Sequence, residues 1–196
     1  MNLAPPFEAL FATSEPPELG PRPRAGTASE AELHRKLEAS FQASRGGGPN
    51  APPGLRGGAQ DLVRALVLLW HDHIDPAHEI AQRIETADGS YLHGIVHRRE
   101  PDYGNAKYWF RRAAHHPCSP EIARRVRARL EGTGERALLQ TSIADDRWDA
   151  CAFVDACEAE ARRPNPARTS LLRAIQHIEF AALLEYFTSR GPSSIR

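Results

Sequence analysis

The sequence predicts an all-α protein, a single helical domain of about six to seven helices over residues 59–190. Three observations carry this. Apolar residues recur at three- and four-residue spacing in successive segments, which is the signature of an amphipathic helix. Those segments are punctuated by proline, aspartate and serine at positions that start and stop helices. No run of alternating apolar and polar residues and no internal repeat is present, so no sheet is expected. Residues 1–58 hold nine of the sixteen prolines and eight of the fourteen glycines. They read as a flexible, partly disordered region, because such composition raises the cost of ordering and supplies little to bury. Residues 191–196 read as a tail.

One short helix is expected in that region, from Ser29 to about Ser44. Ser29-x-x-Glu32 has the form of a capping box, and Leu33, Leu37 and Phe41 follow at a spacing of four. Arg45 to Gly58, with Gly-Gly-Gly and Pro-Pro, reads as a connector. Leu62, Val63, Leu66, Val67, Leu69 and Trp70 then give a strongly apolar helix ending at 71–73. Asp75 is the expected N-cap of the next, with Pro76 at its first position. Thr86 to Gly89 reads as a turn, and Ser90 as the cap of a helix that Pro101 stops. Asp102 caps a further helix to about Ala114. Ser119-Pro120-Glu121 opens another to about Glu131. Residues 136–143 are ambiguous between a helical turn and a short strand. A helix from Asp146 to Arg162 and a last one from about Ala167 to Ser189 complete the chain. Ile178 to Phe187 is apolar nearly all round, as for a helix packed on several sides.

Formal net charge is zero, so no whole-protein field recruits nucleic acid or a membrane surface. No run of about 18 apolar residues and no basic-then-apolar leader is present, and a cytoplasmic location is the expectation. Cys118, Cys151 and Cys157 form no Cys-x-x-Cys pair and are expected to be reduced structural thiols.

The unusual chemistry lies in residues 71–116, which hold seven of the nine histidines. At 100° per residue, three consecutive helices place polar groups beside their apolar faces. These are His78, Gln82 and Glu85 on the first, His93, His97 and Glu100 on the second, and Asn105 and Arg112 on the third. Such margins line pockets in helix bundles. His93-x-x-x-His97 puts two imidazoles on one face, the spacing that lets both reach one ion. His78, or Glu100 one turn on, is the expected third ligand of a divalent metal (zinc, manganese or iron), and Glu79, Glu100 or Asp102 the general base acting on a bound water. Gln82, Arg98, Asn105, Tyr108, Trp109 and Arg112 are the candidate substrate-binding residues. From Tyr91 to His116 five Lys/Arg face two acids, which suits a small polar or anionic molecule. Nucleic acid is not expected, since one short basic stretch releases few counterions.

Three other readings stay open. The histidines, Gln82 and Glu100 could satisfy one another as a structural polar network. The same residues could bind a polar ligand without metal. His71-Asp72 is also compatible with a His-Asp metal phosphohydrolase, whose upstream histidine would have to be His34. Arg99 and Glu179 interrupt apolar helix faces, and each needs a partner. Arg98, Arg99 and Arg112 are the candidates for Glu179.

The stretch Ala77-His78-x-x-x-Gln82, followed by His93-x-x-x-His97-Arg98-x-Glu100-x-Asp102-x-x-Asn105-Ala106-x-Tyr108-Trp109-x-Arg111-Arg112, resembles the signature of a family of uncharacterised bacterial and fungal proteins. The likeness covers residues 77–117, with a fainter one around Gln176–Leu184. It implies a shared site and a helical fold, and no reaction.

Overall fold

A computed structural model describes residues 5–45, 55 and 57–189. The described residues form α1 (Pro5–Glu8), α2 (Glu30–Arg45), α3 (Gly58–Trp70), α4 (Ile74–Ala81), α5 (Ala87–Arg99), α6 (Tyr103–Ala113), α7 (Ser119–Leu130) and α8 (Arg136–Ser142). A two-stranded hairpin follows, β1 (Ile143–Ala144) and β2 (Arg147–Trp148), then α9 (Ala150–Arg162) and α10 (Pro166–Ser189). The protein is all-α as expected, with a few more helices than the periodicity suggested.

α5 lies at the centre. All its residues from Gly89 to Arg99 are buried, and α6 is its most extensive neighbour. Gly94 makes that pairing possible, since a Cβ there would lie 2.9 Å from the Phe110 ring of α6. α10 supplies the other interior element, with Phe180 to Leu184 all buried. The cap of α5 is Thr86, whose Oγ1 accepts from the Gly89 amide at 3.2 Å, and not Ser90. The expected turn at 86–89 is absorbed into the first helical turn, because Gly89 packs directly on Ile84. α4 likewise begins two residues early, at Ile74 after His73, and leaves Pro76 within the first turn where its missing N–H is harmless.

Asp102 does cap α6, accepting from the Asn105 amide at 3.2 Å. The helix expected from Asp146 begins only at Ala150, with Asp149 as its cap. Residues 143–148 form the hairpin instead. Its central residues, Asp145 and Asp146, have φ of 49° and 56°, the backbone of a two-residue turn that matches strand twist.

The expected boundary at residue 59 divides the composition of the chain but not its core. Residues 1–4, 46–54 and 56, on which part of the disorder expectation falls, lie outside the described residues. The rest of that region packs. Phe7, Leu10, Phe11, Leu33, Leu37 and Phe41 are buried with the core of the later helices. Phe11 stacks on Trp70 with ring centroids 4.4 Å apart. Arg24 donates to Asp72 Oδ2 through its amide at 3.0 Å and its Nε at 2.9 Å. Gln176 of α10 donates to the carbonyls of Pro17 and Glu18.

Candidate metal centre

α4, the final turns of α5 and the start of α6 bring most of the predicted residues to one place. His78 Nδ1 donates to Glu100 Oε1 at 3.0 Å, and His78 Nε2 lies 2.9 Å from His93 Nε2. His97 stacks on His93, with centroids 4.7 Å apart and planes 20° apart, as the i, i+4 spacing requires. One ligand atom from each of His78, His93 and His97 can be chosen so that all lie within 4.8 Å of one another. His93 and His97 are buried, whereas His78 and Glu100 retain contact with solvent.

Tautomers follow from these contacts. A neutral imidazole that donates from Nδ1 keeps a lone pair on Nε2, so His78 presents a lone pair to His93. His93 Nε2–H fills it, and the two rings share a single proton. His93 Nδ1 is then a buried nitrogen with no hydrogen-bond partner. His97 Nδ1 lies 3.0 Å from Glu100 Oε2 but out of line for a hydrogen bond. Its Nε2 is 3.1 Å from the Asn105 side-chain amide, which donates to it. Burial pushes the His93 pKa down to about 4, helped by repulsion from His97 and His78. Burial also lowers that of His97, against the attraction of Glu100. Both rings are therefore neutral at pH 7, the form in which imidazole binds metal.

The donor set fits a transition metal. Two nitrogens on one tetrahedral zinc stand about 3.3 Å apart, given bonds of about 2.0–2.1 Å. The 2.9 Å pair needs only slight opening, and a cation would replace the shared proton. Since no separation in the triad exceeds 4.8 Å, none would have to close by more than about 1.5 Å. For His97 to ligate through Nε2, Asn105 would have to give way. Three imidazoles without a carboxylate ligand favour zinc and its late first-row neighbours over manganese.

The remaining candidates divide. Trp109 covers His93, stacked at 4.0 Å and 24°. Arg112 lies over the Trp109 ring, 5.3 Å from its centroid. Tyr108 meets Trp109 edge-on and is half exposed. Gln82 is exposed at the C-cap of α4. Two expected roles are corrected. Arg98 cannot touch a substrate, because it is fully buried with its Nη2 2.6 Å from Glu179 Oε2. Glu100 is not a free base, since it accepts from His78 Nδ1 and its other oxygen lies 3.0 Å from His97 Nδ1. Asp102 is exposed and accepts from the Asn105 amide through Oδ1, which leaves its second oxygen as the alternative base.

The His-Asp phosphohydrolase reading fails on the same grounds. Both nitrogens of His71 are used by the chain, Nε2 on the Leu10 carbonyl and Nδ1 by the Ala28 amide. Asp72 is locked between Arg24 and Arg99. His34 contacts Arg64 instead. Arg99 also donates to the Leu69 carbonyl.

A cavity of about 580 Å³ lies elsewhere, and no triad residue lines it. The sequence missed it, because its walls come from the unforeseen hairpin. The only advance signal was the aromatic and basic pair Arg147-Trp148. No protein-family model, curated protein or solved structure matches the chain. No described helix is long and apolar enough to cross a membrane.

Proposed function

We propose that His78, His93 and His97 hold a divalent transition metal, zinc first, and that the centre serves metal-assisted hydrolysis or a related lyase-type step on a small anionic or sugar-like substrate. The supporting observation is the meeting of three imidazoles from two helices, two of them against one carboxylate, with a ligand atom from each within 4.8 Å of the others. When bound, such a metal polarises a substrate oxygen or lowers the pKa of a water to about 7. His78, at the solvent-facing side, leaves an approach for substrate. Arg112, exposed and without a carboxylate partner among the described residues, is the group for an anion.

The test is elemental analysis of protein purified without an affinity tag, with melting temperature followed during zinc titration. One metal per chain is expected, with stabilisation of about 2.7 kcal/mol at 100 times the dissociation constant. His93→Ala should abolish both while the metal-free variant stays folded. Sub-stoichiometric metal, with no gain in melting temperature from zinc, manganese or iron, removes the proposal.

A further inference from the structure

The hairpin helps build a second site, which none of His78, His93 and His97 lines. Tyr91 and His93 are two residues apart on α5, about 200° around the helix, so the 580 Å³ cavity opens on the opposite face. Its volume lies within the range of about 300–1,000 Å³ typical of small-molecule pockets. Tyr91, Phe110 and Trp148 form its inner wall, and all three are buried. The polar ends of Tyr91 and Trp148 are already committed. Tyr91 Oη donates to Glu179 Oε1 at 2.9 Å, and Trp148 Nε1 faces the same oxygen at 3.4 Å.

The mouth is different in character. Arg111 and Arg147 line it, both exposed, and neither forms an ion pair among the described residues. His115 adds a third basic side chain. Asp145 and Asp149 line the mouth as well, Asp149 with Oδ1 accepting from the Ala152 amide, so two carboxylates share the rim with the two guanidinium groups. The rim is also strained. Ala114, the C-cap of α6, has φ of 52° and ψ of −138°, a conformation that costs an alanine roughly 1–3 kcal/mol. A glycine would have relieved it.

A hollow backed by aromatic residues, with two guanidinium groups that lack ion-pair partners among the described residues at its lip, suits one kind of molecule. The geometry points to a binding site for a small aromatic carboxylate, its ring against Phe110 and Trp148 and its anion held by Arg111 and Arg147. Forked guanidinium groups suit a carboxylate, and the rings gain by offset or edge contact. The site needs no metal, so it stands apart from the histidine centre.

The probe is 2-naphthoate, with neutral 2-naphthamide as its comparator. The chain has three tryptophans, so ¹⁵N–¹H spectra show three indole signals, and Trp148→Phe assigns the relevant one. Naphthoate should shift the Trp148 signal saturably while leaving that of Trp109 in place. The naphthamide should bind at least tenfold more weakly. The double variant Arg111→Gln/Arg147→Gln, which alters only exposed side chains, should lower naphthoate affinity at least tenfold and leave the amide unchanged. Ala144→Trp, on an exposed strand position that accepts aromatics, should fill the hollow and abolish both. No saturable shift, equal affinity for acid and amide, unchanged binding in the double variant, or binding that survives Ala144→Trp would each overturn the assignment.

Discussion

Four consecutive residues of α5 and its cap, His97-Arg98-Arg99-Glu100, meet two different fates. Arg98 and Arg99 turn inward and are fully buried, each held by a carboxylate, Glu179 at 2.6 Å and Asp72 at 2.7 Å. Their charges are matched and further braced. Tyr91 donates to Glu179, and Arg24 donates to Asp72. Burial works against the Arg98 charge, but Glu179 more than offsets it and raises its pKa. Burial alone would raise the Asp72 carboxyl, yet the Arg24 and Arg99 contacts hold it below the usual range. His97 and Glu100 instead join His78 and His93 in a half-open cluster of imidazoles beside a partly exposed carboxylate. The inner residues pair charge with charge across the fold, whereas the cluster brings together groups that could ligate a cation.

The sharpest way to break this contrast is Glu179→Gln, which leaves Arg98 buried and unpaired. It should cost about 3–5 kcal/mol, read as a lower denaturant midpoint. The double change Arg98→Met/Glu179→Leu removes the stranded charge but also leaves Tyr91 Oη and Trp148 Nε1 without their acceptor, so it should recover only part of that loss. If Glu179→Gln proves mild, the inner pair is not structural.

The next effect concerns acid. The metal-free fold keeps His93 neutral down to about pH 4, whereas the unfolded chain takes up that proton near 6.5. The folded pKa is depressed and the unfolded state binds more protons between those values, so stability falls as pH drops through that window. The loss should approach about 3 kcal/mol and should disappear in His93→Ala. Denaturant titrations at pH 4.5 and 7 measure it.

Smaller again is Glu100→Gln. As a group that orients ligands, it should lower zinc affinity about 10- to 100-fold without removing the metal. Complete loss of binding would instead make Glu100 a ligand. The mildest change is Thr86→Ala, which removes the cap of the helix carrying both regions. It should cost about 1 kcal/mol and leave zinc affinity unchanged.

Much of this was legible in one dimension. Periodicity placed α2, α3, α6, α7 and α10 within a few residues. The neighbouring margins of α4, α5 and α6 foretold that His78, His93, His97, Glu100 and Asn105 would meet. Helix angles could not say which way Arg98 turns, since it borders both the polar margin and the core. They also could not show that Glu100 would be occupied by two rings. The hairpin was missed because two-residue strands carry no periodic signal, and with it went the aromatic cavity.

What the sequence alone determined are the local features. Helix spacing, capping residues and the i, i+4 histidine pair are set within a turn or two of chain by dihedral geometry and nearby hydrogen bonds. Tertiary structure alone chose the partners. It decided that Glu179 of α10 neutralises Arg98, that Arg24 and Arg99 share Asp72, and that His78 faces His93. Each joins groups at least 15 residues apart, and packing selects such contacts because an unmatched buried charge costs more than any local preference supplies.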